Sequence, residues 1–171
     1  LTDFGRELIA EMNAVGVLVD LSHVGWKSTQ DVVAASKKPV AITHCAPAGL
    51  KNHPRNKTDE QLRLVANSGG FVGVTMFPAF LARGPQSGVE DYVEAIEYVI
   101  NVIGEEQVGV GTDSTQRHDA EFFRWITHDK GDGRKLVDFG EVLELRDFER
   151  LGKFPNLTAA MEKRGWPTGR I

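Results

Sequence analysis

Short apolar runs alternate with helical stripes along this chain. Val17–Ser22, Val40–His44, Phe71–Met76 and Gln107–Thr112 are brief and mostly apolar, as buried strands are. Phe4, Leu8, Ile9 and Met12 fall on one face of a first helix that Thr2 or Asp3 can cap and Gly16 can stop. Ser28 and Asp31 open a second helical segment carrying Val32, Val33 and Ala35, and Lys37-Lys38-Pro39 breaks it. Thr58 to Gln61 reads as a capping box before Leu62, Leu64 and Val65. Val89, Val93, Ile96, Ile100 and Ile103 form the clearest amphipathic stripe, closed by Gly104. Asn156 is placed to cap a last helix through Leu157, Met161 and Arg164.

Strands alternating with helices predict an α/β fold with a parallel sheet. Four such strands suit an open sheet or half of a (β/α)8 barrel, which typically needs about 250 residues. The 171 residues give one sizeable core, so residues 1–171 read as a single domain. Residues 114–155 fit the alternation poorly and read as an irregular loop or insertion, with short helices expected near 119–126 and 138–146.

Composition narrows the partners. With a net charge of −4 and no basic stripe with interleaved aromatics, nucleic acid is not an expected partner. No apolar run approaches the roughly 20 residues of a membrane helix. A single cysteine, Cys45, excludes an internal disulfide and suits a reducing compartment. A cytoplasmic location is the expectation; a periplasmic or exported one stays open, because the chain opens directly on a helix signal without Met. Unpaired sheet edges would allow a homodimer.

The strand ends carry the chemistry. His23 and His44 close the first two strands and Asp113 closes the fourth. In a parallel α/β sheet, ligands gather at those carboxyl ends. The two histidines stand one β-α-β step apart, which brings both imidazoles to one sheet edge, where they can share a zinc ion. Asp113 could exchange a proton with a metal-activated water or hold a substrate amine. The planar fork of Arg55 suits a carboxylate, although the residue by itself reads as a surface arginine. Asp20, inside its strand, reads as structural, and Cys45 as a small buried hydrophobe. His53, His118 and His128 read as loop residues. Trp26, Trp125 and Trp166 read as packing residues. Gly109 and Gly111 lead into no Gly-rich turn and are no dinucleotide fingerprint.

Asp20-Leu21-Ser22-His23, Thr43-His44 and His53-Pro54-Arg55-Asn56, in that order, resemble the C-terminal half of the membrane (renal-type) dipeptidases. These are zinc dipeptidases of the amidohydrolase superfamily. The likeness runs from Leu1 to Asp113 and resumes weakly at Phe154–Trp166. It implies the last four β/α units of a distorted (β/α)8 barrel, and hydrolysis of small dipeptides. His23 and His44 would bind one zinc of a binuclear pair, and Arg55 would grip the substrate's terminal carboxylate. Asp113 would hold the substrate amine or pass a proton. A zinc-bridging hydroxide would attack the peptide carbonyl.

Two departures accompany the likeness. The N-terminal half that would supply the remaining zinc ligands is absent, so this chain alone lacks a complete site. The family's Gly-x-Asp-Phe-Asp-Gly is here Gly111-Thr112-Asp113-Ser114-Thr115-Gln116, with Thr115 replacing the second aspartate. That change leaves room for another amide hydrolase of the superfamily, or for a catalytically silent binding or maturation protein on the same barrel.

Overall fold

In the computed structural model, which describes residues 1–114, 119–136 and 144–171, six α-helices surround a small parallel sheet. Helix α1 spans Asp3–Val15; the hydroxyl of Thr2 accepts from the Gly5 N–H at 3.1 Å, and Gly16 ends the helix at φ +78°. Helix α2 is Trp26–Ala35, starting two residues before the expected Ser28. Strand β1 is Ala41–Cys45 and helix α3 is Asp59–Asn67. Its capping box forms as the sequence predicts: Gln61 N–H donates to Thr58, and Thr58 N–H donates to the Gln61 side chain. Strand β2 is Phe71–Thr75, helix α4 is Val89–Ile103 and strand β3 is Val108–Gly111. Helix α5 is Ala120–Thr127 and helix α6 is Phe154–Lys163. The last helix begins ahead of Asn156, because Pro155 in its first turn is already set to a helical φ.

The strands run parallel in the order β1-β2-β3. Helix α4 lies over them and supplies the centre of the core. Val93, Val99 and Tyr92 share one core cluster with Ile42, Val72 and Val74, and the Tyr92 hydroxyl donates to the Val74 carbonyl at 2.8 Å. That bond satisfies a phenol that would otherwise be stranded in apolar surroundings.

Three expectations need correction. The stretch 17–22 is not a strand; it touches the sheet through one parallel bridge, Asp20 to Ala41. The ladder stops there because the Thr43 N–H donates to the Asp20 carboxylate at 3.0 Å rather than to a neighbouring carbonyl. In α1, Ile9 is buried and Met12 half-buried, but Phe4 and Leu8 face outward, Phe4 at 73% exposure. Trp125 is exposed rather than packed, unlike the buried Trp166. Within 114–155, the helix expected near 119–126 forms as α5, Leu145 and Phe148 enter the core, and Arg146 forms a parallel bridge to Gly88. The helix expected over 138–146 falls mostly outside the described residues, and 144–146 are not helical.

The sheet carries one irregularity, at its carboxyl edge. Ile42 pairs with Val72 and Cys45 with Val74, so both Thr43 and His44 stand opposite Gly73 alone. An extra residue of this kind bends a strand and re-aims its side chains. Here the Thr43 carbonyl swings over the neighbouring strands. A Cβ on Gly73 would lie 2.1 Å from that oxygen, and one on Gly111 2.0 Å from it. Two glycines in adjacent strands therefore make room for the bulge.

Candidate metal and substrate site

The bulge and the turn after Ser22 bring four polar side chains together at the carboxyl edge of the sheet. His23 Nε2 and His44 Nε2 lie 2.9 Å apart, with ring centroids 5.0 Å apart. The Asp113 carboxylate is 4.0 Å from His44 Nε2. Arg55 reaches in from its loop; one guanidinium nitrogen donates to the Ser22 carbonyl at 2.5 Å and the other approaches His23 Nε2 at 3.0 Å. All four residues singled out in the sequence thus meet in one place. Asp113 sits there in the left-handed region, at φ +55°, an unusual backbone for a residue other than glycine.

Proton accounting shows what the histidine pair presents. A guanidinium only donates, so His23 Nε2 accepts from Arg55 and carries a lone pair. His44 Nδ1 lies 2.9 Å from Thr43 Oγ1; with Nδ1 as the donor of that bond, His44 Nε2 would keep a lone pair as well. Two imidazole lone pairs facing each other at 2.9 Å would repel unless a shared proton or a metal ion lies between them. A zinc ion held at about 2.0–2.1 Å by each nitrogen at a tetrahedral angle would need them roughly 3.3 Å apart, a few tenths more than found. The pair therefore fits half of a zinc coordination shell. Among the described residues, no group of three or more His, Cys, Asp or Glu is arranged to hold an ion unaided.

Electrostatics favour the neutral, ligating form. Burial holds the His23 imidazole below its ordinary range; the Arg55 guanidinium and the His44 ring push the same way, against Asp113 and Asp20. Burial would raise the Asp20 carboxyl, but hydrogen bonds from Ser22 and Thr43 outweigh it and leave the group below its ordinary value. The Cys45 thiol, fully enclosed beneath the site, is pushed up to about 12 by burial and is no nucleophile.

The neighbouring loops are pinned by groups the sequence did not advertise. Lys57 is buried, and its ammonium donates to the Val24 carbonyl at 2.8 Å, tying down the turn that carries His23. Asn56 donates to the carbonyls of Lys51 and Phe80, fixing the loop under Arg55. The Phe80 ring lies 5.6 Å beneath the Arg55 guanidinium. His53 turns into its own loop, accepting from the Arg55 N–H at 3.1 Å and lying tilted against Phe80, ring centroids 4.8 Å apart. His128 is held locally by Thr127 and by the Arg124 carbonyl. His118 lies outside the described residues.

Sequence reading missed Ser22 and Thr43; Asp20 it read as structural, and the carboxylate does bond backbone. The Asp20 carboxylate accepts from Ser22 N–H at 3.0 Å, Ser22 hydroxyl at 2.6 Å, Thr43 N–H at 3.0 Å and Thr43 hydroxyl at 2.8 Å. The His44 N–H in turn donates to the Ser22 hydroxyl at 3.0 Å. The available signal was the presence of Asp20 and Thr43 in otherwise apolar strand-like runs.

Parallel strands whose carboxyl ends gather two imidazoles, a carboxylate and a guanidinium define an α/β protein with a polar site at one sheet edge. The chain belongs to the membrane dipeptidase family, peptidase family M19, whose model matches residues 1–121. It is 54% identical to a solved amidohydrolase from Pseudomonas aeruginosa, with a TM-score of 0.93 over 99% of this chain and 52% of that one. A metallopeptidase from Rhodobacter sphaeroides, solved with a phosphinate mimic of the dipeptide L-Ala-D-Ala, is 28% identical with a TM-score of 0.77, over 99% of this chain and 42% of that one. A dipeptidase from Claviceps purpurea is 30% identical over 100% of this chain and 35% of its own length. The chain thus spans about half, or less, of the relatives it matches. Among the described residues, no helix is long and apolar enough to cross a membrane.

Proposed function

We propose that this chain is the C-terminal part of a zinc metallodipeptidase and forms the last four β/α units of a distorted (β/α)8 barrel. On this reading residues 1–171 are one partial domain, and an N-terminal half outside the chain completes the metal site. The observation that carries the reading is the convergence of the His23 and His44 Nε2 atoms at the sheet edge. Family membership and the dipeptide mimic bound by the Rhodobacter relative support it.

His23 and His44 would hold one zinc through Nε2. Zinc in such a site lowers the pKa of water and polarises a carbonyl. Arg55 gives up its contact with His23 Nε2 and offers that nitrogen to the substrate's carboxylate, while its bond to the Ser22 carbonyl and the Phe80 ring beneath keep it in place. Asp113, 4.0 Å from His44 Nε2, holds the substrate's amino group or moves a proton during hydrolysis.

The test uses the complete enzyme. His23→Ala and His44→Ala should each lower bound zinc and abolish turnover of dipeptides, including those with a C-terminal D-residue. Zinc content and turnover unchanged in both variants would refute the assignment. A second reading, hydrolysis of a different amide, has its own support in the amidohydrolase description of the Pseudomonas structure. A dipeptide panel giving no turnover from zinc-loaded protein would favour it.

A further inference from the structure

We infer that Asp20, acting through Thr43, sets the tautomer of His44 and so determines whether that residue can ligate a metal. The inference rests on the proposed metal site, but its proton logic stands on the geometry alone.

The assignment comes from counting hydrogens. Asp20 is an ionised carboxylate and can only accept. Its Oδ1 lies 2.6 Å from the Ser22 hydroxyl, so that hydroxyl's single proton points to it. Its Oδ2 lies 2.8 Å from Thr43 Oγ1, so the threonine's single proton is committed there. The contact between the two hydroxyl oxygens, at 3.1 Å, is left without a proton and is the longest of the set. Thr43 Oγ1 then has only lone pairs to offer His44 Nδ1, 2.9 Å away. That nitrogen must be the donor. His44 is thereby held as the Nδ1–H tautomer, with its Nε2 lone pair directed at His23. The Ser22 hydroxyl, with its proton engaged, accepts the His44 backbone N–H and fixes the residue's position along the bulge.

Ligating histidines commonly donate their second ring N–H to a carboxylate or carbonyl. Here a threonine stands between, and the carboxylate acts one bond further out. Asp20 and Thr43 are positioning residues, and the sense of the whole relay depends on Thr43's one proton.

That dependence gives a distinctive test. In Asp20→Asn, the Ser22 and Thr43 N–H groups hold the amide oxygen at the Oδ1 position. The NH2 group must then face Thr43 Oγ1 and donate to it. Thr43 is freed to donate to His44 Nδ1, which drives the ring proton to Nε2. Long-range proton–nitrogen NMR on the histidine-labelled chain reads the tautomer directly, with the His44 resonances assigned by their loss in His44→Gln.

The wild-type ring should be Nδ1–H, Asp20→Asn should invert it to Nε2–H, and Thr43→Ser should keep the wild-type pattern. Thr43→Val should lose the preference. Zinc titration should show roughly 10- to 100-fold weaker binding for Asp20→Asn and Thr43→Val, with Thr43→Ser near wild type. A wild-type ring protonated at Nε2 overturns the inference whatever the variants do, as does an Asp20→Asn ring that keeps its proton on Nδ1. Should Thr43→Val fail to fold, the near-isosteric Asp20→Asn still decides the matter. The expected tautomers in a chain that binds no zinc, even in the complete enzyme, would uphold the relay and defeat the metal reading. Zinc bound equally by all variants with an unchanged tautomer would do the reverse.

Discussion

Arg55 shows how far a single side chain's role depends on its neighbours. By itself it reads as a surface arginine in a Pro-containing loop, and only the family likeness gave it a carboxylate to grip; the fold sets it over Phe80 and points both terminal nitrogens into the site. A lysine there would keep the charge and lose the planar fork. Arg55→Lys in the complete enzyme should raise KM for dipeptides roughly 10-fold, consistent with losing one charge-assisted hydrogen bond of about 1.5–3 kcal/mol, and should change kcat less. A steady-state titration that finds KM unmoved would remove Arg55 from substrate binding. Gly73 and Gly111 are the opposite case, residues whose importance is the lack of a side chain. Alanine at either would press its Cβ against the Thr43 carbonyl, a backbone atom that cannot swing away. Each substitution should cost about 1–3 kcal/mol in urea denaturation, the usual cost of overpacking, and should disturb His44 as well.

Among the elements, α4 is the one whose stability is most open to test. Asp91 in its first turn accepts from the Gly88 N–H at 2.7 Å and takes two bonds from Arg83, each 2.6 Å. Burial raises the Asp91 carboxyl, but Arg83 and the Gly88 N–H outweigh it and leave the group below its ordinary 3.8. A depressed carboxyl contributes stability that is fully present above about pH 3.8 and lost as pH falls through the folded value. Urea midpoints measured from about pH 6 to about pH 2 should therefore show a shallower acid loss in Asp91→Asn than in wild type. Parallel curves would mean that Asp91 does not contribute. The capping box of α3 supplies a companion test. Thr58→Ala should cost about 1 kcal/mol, because the Gln61 N–H loses its side-chain acceptor.

At the scale of the molecule, the described residues leave a stretch of apolar surface uncovered. Phe4, Val15, Val17 and Leu18 are all more than half exposed, at 73%, 63%, 52% and 55%. These residues cluster in α1 and the segment that succeeds it, next to the single bridge that joins 17–22 to the sheet. Surface apolar residues of this kind contribute little to stability in the isolated chain. Phe4→Ser should shift the unfolding free energy by less than about 0.5 kcal/mol. In the complete enzyme the same substitution should cost about 2 kcal/mol or more if the uncovered side is a domain interior. Equal, small effects in both would show that this face is surface in the enzyme too.

Local pattern determined most of the elements. The stripe from Val89 to Ile103, the Thr58 box and the Val-rich strands each arise from forces acting within a few residues: periodic burial, orphan N–H groups seeking a side-chain acceptor, and β-branched packing. Local pattern also nominated His23, His44 and Asp113, because strand ends in parallel sheets open toward ligands. It misjudged 17–22, where an apolar run with one aspartate looked like a strand until that carboxylate captured a backbone amide of the neighbouring strand. It misjudged α1 because periodicity gives the apolar face but not what covers it. The bulge at Thr43-His44, the glycines beneath it and the Asp20–Thr43–His44 relay were decided only by tertiary structure. Each depends on atoms from different strands meeting at hydrogen-bond distance, and a proton's position is fixed by every acceptor around it, wherever in the chain that acceptor comes from.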